Sequence, residues 1–371
     1  MSWTRERLES EWIKAPINEL GDRGYVAIRA FDCVEKHFGS KWLSVRNLQS
    51  TGIAPTLNVV LLGECLLAIE NIKGFDILVE KVRANDFSAF AEIEAVRMFH
   101  LMGGVEIELE PYLVVGSSTK KPDFRVRREG ERWTYVEVTR PDTSETVEDA
   151  RKLLNRLQIV ANVKREFSLE IFLRRNPNAT EEKALLLSAT SLADSDRYET
   201  LDLPDLALIT KQPFTGPIIT PIDHPAEDNS RPRVGTATGV ICNDGTEPNR
   251  LVSVRMPYTD DRAESFIKRE AKQLSKIEPG LIMMDMTKSN AGMKYWKSFL
   301  LRRFQPNVHT RVGGVCMFSS GIESGHTGIH LLFNLVTVEN KHATNPLPGW
   351  IFEGLKNIAT VENGKRSVPN K

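Results

Sequence analysis

Apolar residues recur at helical spacing through the first quarter of the chain. Arg5 to Ile13 and Ala27 to Phe38 each carry an apolar stripe, and Leu57 to Ile72 reads as a more apolar helix that stops near Gly74. Phe75 to Val82 fits a strand or a helix. Phe87, Phe90, Ile93, Val96 and Leu101 mark another helix, which ends at Gly103-Gly104 because glycine accepts the left-handed conformation of a helix terminus. The period then shortens to two. Val105 to Val115, Asp123 to Arg128 and Arg132 to Arg140 read as strands, and Pro141 stops the last.

Beyond Pro141 helices and strands alternate. Glu145 to Phe167 has a helical pattern and Ser168 to Leu173 that of a short strand. After the Asn176-Pro177-Asn178 break, Thr180 is expected to cap a helix through Ala189, with Glu181 and Glu182 in its first turn, where carboxylates suit the helix dipole. Lys211 to Arg233 is rich in proline, threonine and charge. Thr236 to Cys242, Arg250 to Met256, Leu281 to Met286, Gly314 to Phe318 and His330 to Val338 are strand-like, and Asp260 to Ile277 and Gly292 to Phe304 helical. These elements predict an α/β (α+β) fold: a helical N-terminal region, then a mixed central sheet with helices on both faces. The expected division is a helical region over 1–84, a core over 85–210, a linker or long loop over 211–235, a C-terminal α/β part over 236–364 that either stands apart or completes the same domain, and a flexible tail over 365–371.

Composition narrows the function. With 49 basic and 49 acidic side chains the formal net charge is zero, which argues against a protein that coats nucleic acid but not against an enzyme with a local basic cleft. Cys33, Cys65, Cys242 and Cys316 are scattered and form no CxxC pair. That excludes a zinc ribbon or a thioredoxin-like motif and suits reduced thiols in the cytoplasm. Neither a signal peptide nor a membrane span is expected.

The chemistry lies in Lys121-Pro-Asp-Phe-Arg-Val-Arg and Trp133-Thr-Tyr-Val-Glu-Val-Thr-Arg-Pro141. Strand alternation puts Phe124 and Val126 on one face and Asp123, Arg125 and Arg127 on the other. In the second strand Val136 and Val138 share a face, opposite Tyr135, Glu137 and Thr139. A three-residue loop, Glu129-Gly130-Glu131, with Gly130 at positive φ, sets Phe124 against Val136 and therefore Asp123 against Glu137. A two-residue loop would slip the register by one and set Asp123 against Val138, so agreement of the apolar faces selects the register that pairs the acids. Like charges opposite each other destabilise a sheet, so the pair asks for a cation. Oxygen ligands favour a hard ion, Mg²⁺ or Mn²⁺. From Ser117 to Arg140 seven Lys or Arg face four acids, which suits a phosphate partner.

A helix bearing a glutamate, then strands carrying Pro-Asp and Glu-x-Lys, is the pattern of the PD-(D/E)XK, or restriction-endonuclease-like, nuclease superfamily. The chain resembles it from about Phe87 to Arg175. Glu94, or its neighbour Glu92, matches the helix acid, Pro122-Asp123 the PD, and Glu137-Val138-Thr139 the (D/E)XK. The resemblance implies a metal-dependent nuclease, with DNA favoured over RNA, and leaves room for a homodimer or another protein partner. Asp123, Glu137 and the Val138 carbonyl would hold the metal and Glu94 would add a ligand. The family lysine is Thr139 here. Arg125 is the first choice to replace its charge, ahead of Lys121, Arg140 and Lys152, which also stand as candidate nucleic-acid contacts. The segment from Lys268 to Asp285, with Lys272-Gln273-Leu274, weakly resembles the helix and strand that close this fold in some families. The departure at Thr139 supports an alternative, a catalytically degenerate module of the same fold that binds nucleic acid or serves in assembly.

Other patterns carry less. Lys288 to Arg311 has six basic residues and no acid, interleaved with Tyr295, Trp296, Phe299 and Phe304. An amphipathic helix with its aromatics in the core is preferred to a nucleic-acid face. His326 and His330 would share a helix face, but Gly325 and Gly328 argue against a helix. Ser319 and Ser320 lack a GxSxG elbow, and neither glycine pair is a phosphate loop.

Overall fold

The computed structural model describes residues 23–46, 55–84, 88–115, 118–141, 145–214, 233–242, 248–259, 263–287, 292–325 and 328–358. They form two compact units, one from the described residues of Met1–Pro141, Ser265–Thr287 and Phe304–Lys371, the other from those of Asp142–Glu264 and Lys288–Arg303. The first begins with helices α1 (Arg23–Arg46), α2 (Pro55–Ile69), α3 (Phe75–Arg83) and α4 (Ser88–Leu101). Strands β1 (Glu106–Leu109), β2 (Leu113–Val115), β3 (Ser118–Lys120), β4 (Phe124–Arg127) and β5 (Thr134–Thr139) follow. The second unit then takes α5 (Glu145–Arg156), α6 (Gln158–Ala161), β6 (Phe167–Leu173), α7 (Ala179–Asp194), β7 (Thr200–Leu203), β8 (Ala207–Gln212), β9 (Arg233–Cys242) and β10 (Arg250–Thr259). Helix α8 (Ala263–Ala271) leads back to β11 (Gly280–Asp285) in the first unit. Helix α9 (Met293–Arg303) belongs to the second, and β12 (Gly314–Gly325), β13 (Gly328–Glu339) and α10 (Gly349–Ile358) complete the first.

Each unit holds a mixed sheet flanked by helices, in agreement with the α+β expectation. In the first the strand order is β1-β4-β5-β11-β12-β13. Strand β5 runs antiparallel to β4 and parallel to β11, and β11 runs parallel to β12. Every residue of β5 and of β11 is buried, as central strands covered on both faces must be. Val136 and Val138 share the apolar core with Phe124, whose ring meets Phe99 of α4 edge-on at 5.7 Å. Ala30 and Phe31 of α1, Leu62 and Leu66 of α2, and Leu78 and Val82 of α3 belong to the same core.

The expected division of the chain is corrected accordingly. The 1–84 helices are not a separate region, because α2 packs on α1 and α4 and all three share one core with the sheet. Nor does 85–210 close a core, because β5 needs β11, more than 140 residues later, as its second neighbour. Most of the expected linker, and the tail, lie outside the described residues, as does Arg5 to Ile13. The single strand expected over 105–115 is broken where Glu110 takes a φ of 43° before Pro111. The segment at 75–82 that fitted either element is the helix α3.

In the second unit the order is β7-β8-β6-β10-β9, with β6 and β10 parallel. The strand expected over Ser168 to Leu173 is present, whereas the β7–β8 hairpin, turning at Asp205 with φ 59°, carries no glycine to announce it. Asn178 rather than Thr180 caps α7: its side chain accepts from Thr180 and Glu181, and Glu181 accepts from the Asn178 N–H. Trp296 and Phe299 are fully buried in α9 while Lys294 and Lys297 are exposed, as the amphipathic reading requires. No helix among the described residues is long and apolar enough to cross a membrane.

Phe124 joins helix core and sheet immediately beside Asp123. Phe124→Ala is expected to lower the unfolding free energy by about 3–5 kcal/mol, measured by urea denaturation of the full chain.

Candidate functional site

Strands β4 and β5 pair Phe124 with Val136, Arg125 with Tyr135 and Val126 with Thr134, the register selected from the matching of faces. The turn between them has Gly130 at φ 77°, although the strands stop short and leave 128–133 as the connection. The ladder ends at Phe124. The next inward position on that strand is Pro122, which has no N–H to give. There the strands part, and the Val138 N–H donates to Asp123 Oδ2 at 2.7 Å. The Asp123 carbonyl accepts from the Glu110 N–H at 2.8 Å, which fixes the residue from its other side. The Asp123 carboxylate is thus drawn into the gap beside Glu137.

Glu137 is 5% exposed, and its Oε1 has no hydrogen-bond partner among the described residues. Burial, then the charges of Asp123 and Glu270, push its pKa far above the carboxylate range. Burial and Glu92 push Asp123 up in the same way, against the Val138 N–H and Lys81, which favour its charge. Two carboxylates this close do not both ionise without a cation.

Further acids surround the pair. The Lys81 ammonium of α3 stands 2.8 Å from Glu92 Oε2, 2.9 Å from Glu110 Oε1 and 3.8 Å from Asp123 Oδ1. Burial works against its charge, but Glu92, Glu110 and Asp123 outweigh that and raise its pKa. Glu270 of α8 is buried, and its Oε1 accepts from Arg269 Nε at 2.6 Å. The same guanidinium donates to Thr139 Oγ1 at 3.2 Å.

Of the two helix glutamates, Glu92 acts on this pair. Glu94 lies in another group: Ser320 Oγ donates to it at 2.8 Å, and burial together with Asp285 pushes its pKa up to about 7. Arg140 pairs with Asp285 there at 2.7 Å. Arg125 is engaged away from the acids. It donates to Glu108 Oε2 through Nε at 2.8 Å and lies 4.3 Å over the Trp133 ring. Lys121 is exposed, 5.1 Å over the Tyr112 ring. Lys152 is exposed on α5 of the second unit and pairs with Asp149. His330 lies in β13, not in a helix, and His326 is outside the described residues.

Lys81, Glu110, Arg269 and Glu270 were not singled out from the sequence. The weak likeness of Lys268 to Asp285 to a closing helix and strand was the signal near Arg269 and Glu270, and nothing comparable marked Lys81 or Glu110. Compared with known proteins, the chain matches no protein-family model, and neither a curated protein nor a solved structure matches it significantly.

An acid whose folded pKa lies above its unfolded one keeps its proton longer in the folded state. The fold therefore loses stability as pH rises from the ordinary carboxylate value of about 4 through neutrality. In metal-free buffer Glu137→Gln is expected to stabilise the protein at pH 8 by about 1–3 kcal/mol, because the amide keeps the shape and folds without the proton uptake that burial forces on Glu137. The gain should shrink toward pH 4 in thermal unfolding followed across that range. A gain independent of pH would mean that Glu137 is not the strained acid.

Proposed function

We propose that the first unit is a metal-dependent nuclease of the PD-(D/E)XK type, hydrolysing phosphodiester bonds in nucleic acid, with DNA favoured over RNA by the resemblance. The observation that carries the reading is the pairing of Asp123 and Glu137 at the parting of β4 and β5, with a buried Glu137 oxygen left without a partner. This all-oxygen donor set suits Mg²⁺ or Mn²⁺. Asp123 and Glu137 would hold the ion, with the Val138 carbonyl added by the resemblance and Glu92 in place of Glu94 as the helix acid. When bound, the ion supplies Lewis-acid polarisation of a phosphoryl oxygen and a lowered pKa for the attacking water.

The chain's own groups do the rest. Thr139 offers a hydroxyl to orient water, and Arg269, bonded to it, brings the positive charge that the family lysine would carry. Lys81 balances Glu92 and Glu110. Exposed Tyr112 with Lys121 offers a stacking face and a phosphate contact. A reduced, cytoplasmic setting suits Cys33, Cys65 and Cys316, which are free and buried.

A second reading, a non-catalytic nucleic-acid-binding or assembly module, is favoured by Thr139 itself, which has no charge to give the transition state. The two separate in one assay: Mg²⁺- or Mn²⁺-dependent cleavage of plasmid, single-stranded DNA and RNA by the full chain. The nuclease reading expects cleavage that Asp123→Ala and Glu137→Ala each reduce at least about a hundredfold. Nucleic-acid binding with no cleavage would favour the module, and cleavage retained by both variants would place the site elsewhere.

Arg269 gives a finer test. Arg269→Ala is expected to slow cleavage by about ten- to a hundredfold with binding little changed, and Arg269→Lys to recover part of the loss. Equal rates for the three proteins would remove Arg269 from the site.

A further inference from the structure

A second group of ligating side chains lies among the N-terminal helices. Cys33 and His37 stand four residues apart on α1, so both project from one face one turn apart. Glu70 follows the last residue of α2 and reaches the same place. A thiol sulfur, an imidazole nitrogen and a carboxylate oxygen from these three lie within 4.8 Å of one another. The imidazole ring meets Phe75 edge-on at 5.1 Å, and the backbone carbonyl of His37 accepts from Arg83 Nε at 3.0 Å.

Two features distinguish the group from a chance meeting of polar residues. His37 Nε2 is buried and has no hydrogen-bond partner among the described residues, an arrangement that costs free energy unless something binds there. Cys33 is buried beside it, 4% exposed, while Glu70 keeps a third of its side-chain surface open, with the Lys36 ammonium 3.8 Å from its Oε2. We propose that Cys33, His37 and Glu70 form a zinc site that ties α1 to the end of α2, with its remaining position open to water. A soft sulfur, an imidazole and one carboxylate suit Zn²⁺, whereas the all-oxygen donors around Asp123 suit a hard ion.

Burial, then Glu70, push the Cys33 thiol up to about 11, and burial and Lys36 lower the pKa of His37. Binding of Zn²⁺ then forms bonds to sulfur, nitrogen and oxygen and releases the thiol proton to solvent, with no change in oxidation state. The inference does not rest on the nuclease reading, since none of its residues belongs to the Asp123 cluster.

The test is titration of the chelator-stripped full chain with Co²⁺, which reports sulfur ligation as a near-ultraviolet charge-transfer band and tetrahedral geometry as visible bands. Expected are both signals at one equivalent, their displacement by Zn²⁺, and their persistence in the Asp123→Ala, Glu137→Ala double variant. Cys33→Ala should abolish the charge-transfer band and His37→Gln the tetrahedral spectrum. Glu70→Gln, a mild change at a partly open residue, should weaken Co²⁺ binding at least about tenfold while the ion-free protein keeps its thermal unfolding midpoint. A thiolate band that survives Cys33→Ala, or no sulfur-ligated signal in the wild type, would overturn the assignment. So would Glu70→Gln binding Co²⁺ as tightly as the wild type.

Discussion

Val138 donates its backbone N–H to the side chain of Asp123, where a regular ladder would have offered it a backbone carbonyl. Much of the first unit depends on that exchange. Because Pro122 cannot extend the pairing, β4 leaves β5 just as the chain reaches Asp123, and the carboxylate takes the vacated acceptor place. The bond holds Asp123 next to Glu137 in a strand buried on both faces. An arrangement that opposes two acids in such a place is unfavourable by itself, and the core around Phe124, Val136 and Val138 has to hold it.

The helices contribute charge as well as packing. Lys81 comes from α3 and Glu92 from α4, and their ion pair at 2.8 Å sets a fixed dipole against Asp123. Glu92 raises the pKa of Asp123 and Lys81 opposes it. The two titrating carboxylates therefore sit in a field set by two helices that precede them in the sequence. On the proposed reading this prepares the site: a divalent cation replaces repulsion by attraction without rebuilding the backbone.

The hairpin was legible because two independent periodicities had to agree. The apolar faces of β4 and β5 exclude a slip of one residue, the turn at Gly130 selects among the registers that remain, and the opposition of Asp123 and Glu137 follows. The choice between Glu92 and Glu94 was not legible in the same way. Two residues along a helix turn the side chain by about 200°, so at most one can face the acid pair, but which one depends on how α4 lies against the sheet. That is decided by the burial of Ala89, Ile93, Val96 and Phe99 together, and by where β12 brings Ser320 to meet Glu94. Arg125 shows the limit of alternation. It lies on the expected side of β4, yet Glu108 on β1 and the Trp133 ring draw its guanidinium outward along the sheet. Strand order had to be known before that competitor could be seen, and local pattern does not give strand order.

The position of Arg269 follows from the same topology. Helix α8 feeds β11, and β11 lies beside β5 with Met284 opposite Thr139. A connection short enough to join α8 to β11 returns Arg269 to the end of β5, although 130 residues separate it from Thr139. A lysine at 139 would carry its charge on the strand itself. Here the strand keeps a hydroxyl and the neighbouring helix provides the cation, bonded to that hydroxyl and to Glu270. On the proposed reading, the missing lysine is then a transfer of charge from one element to another rather than a loss. The transfer makes the site dependent on the 265–287 segment, which the chain reaches only after most of its second unit.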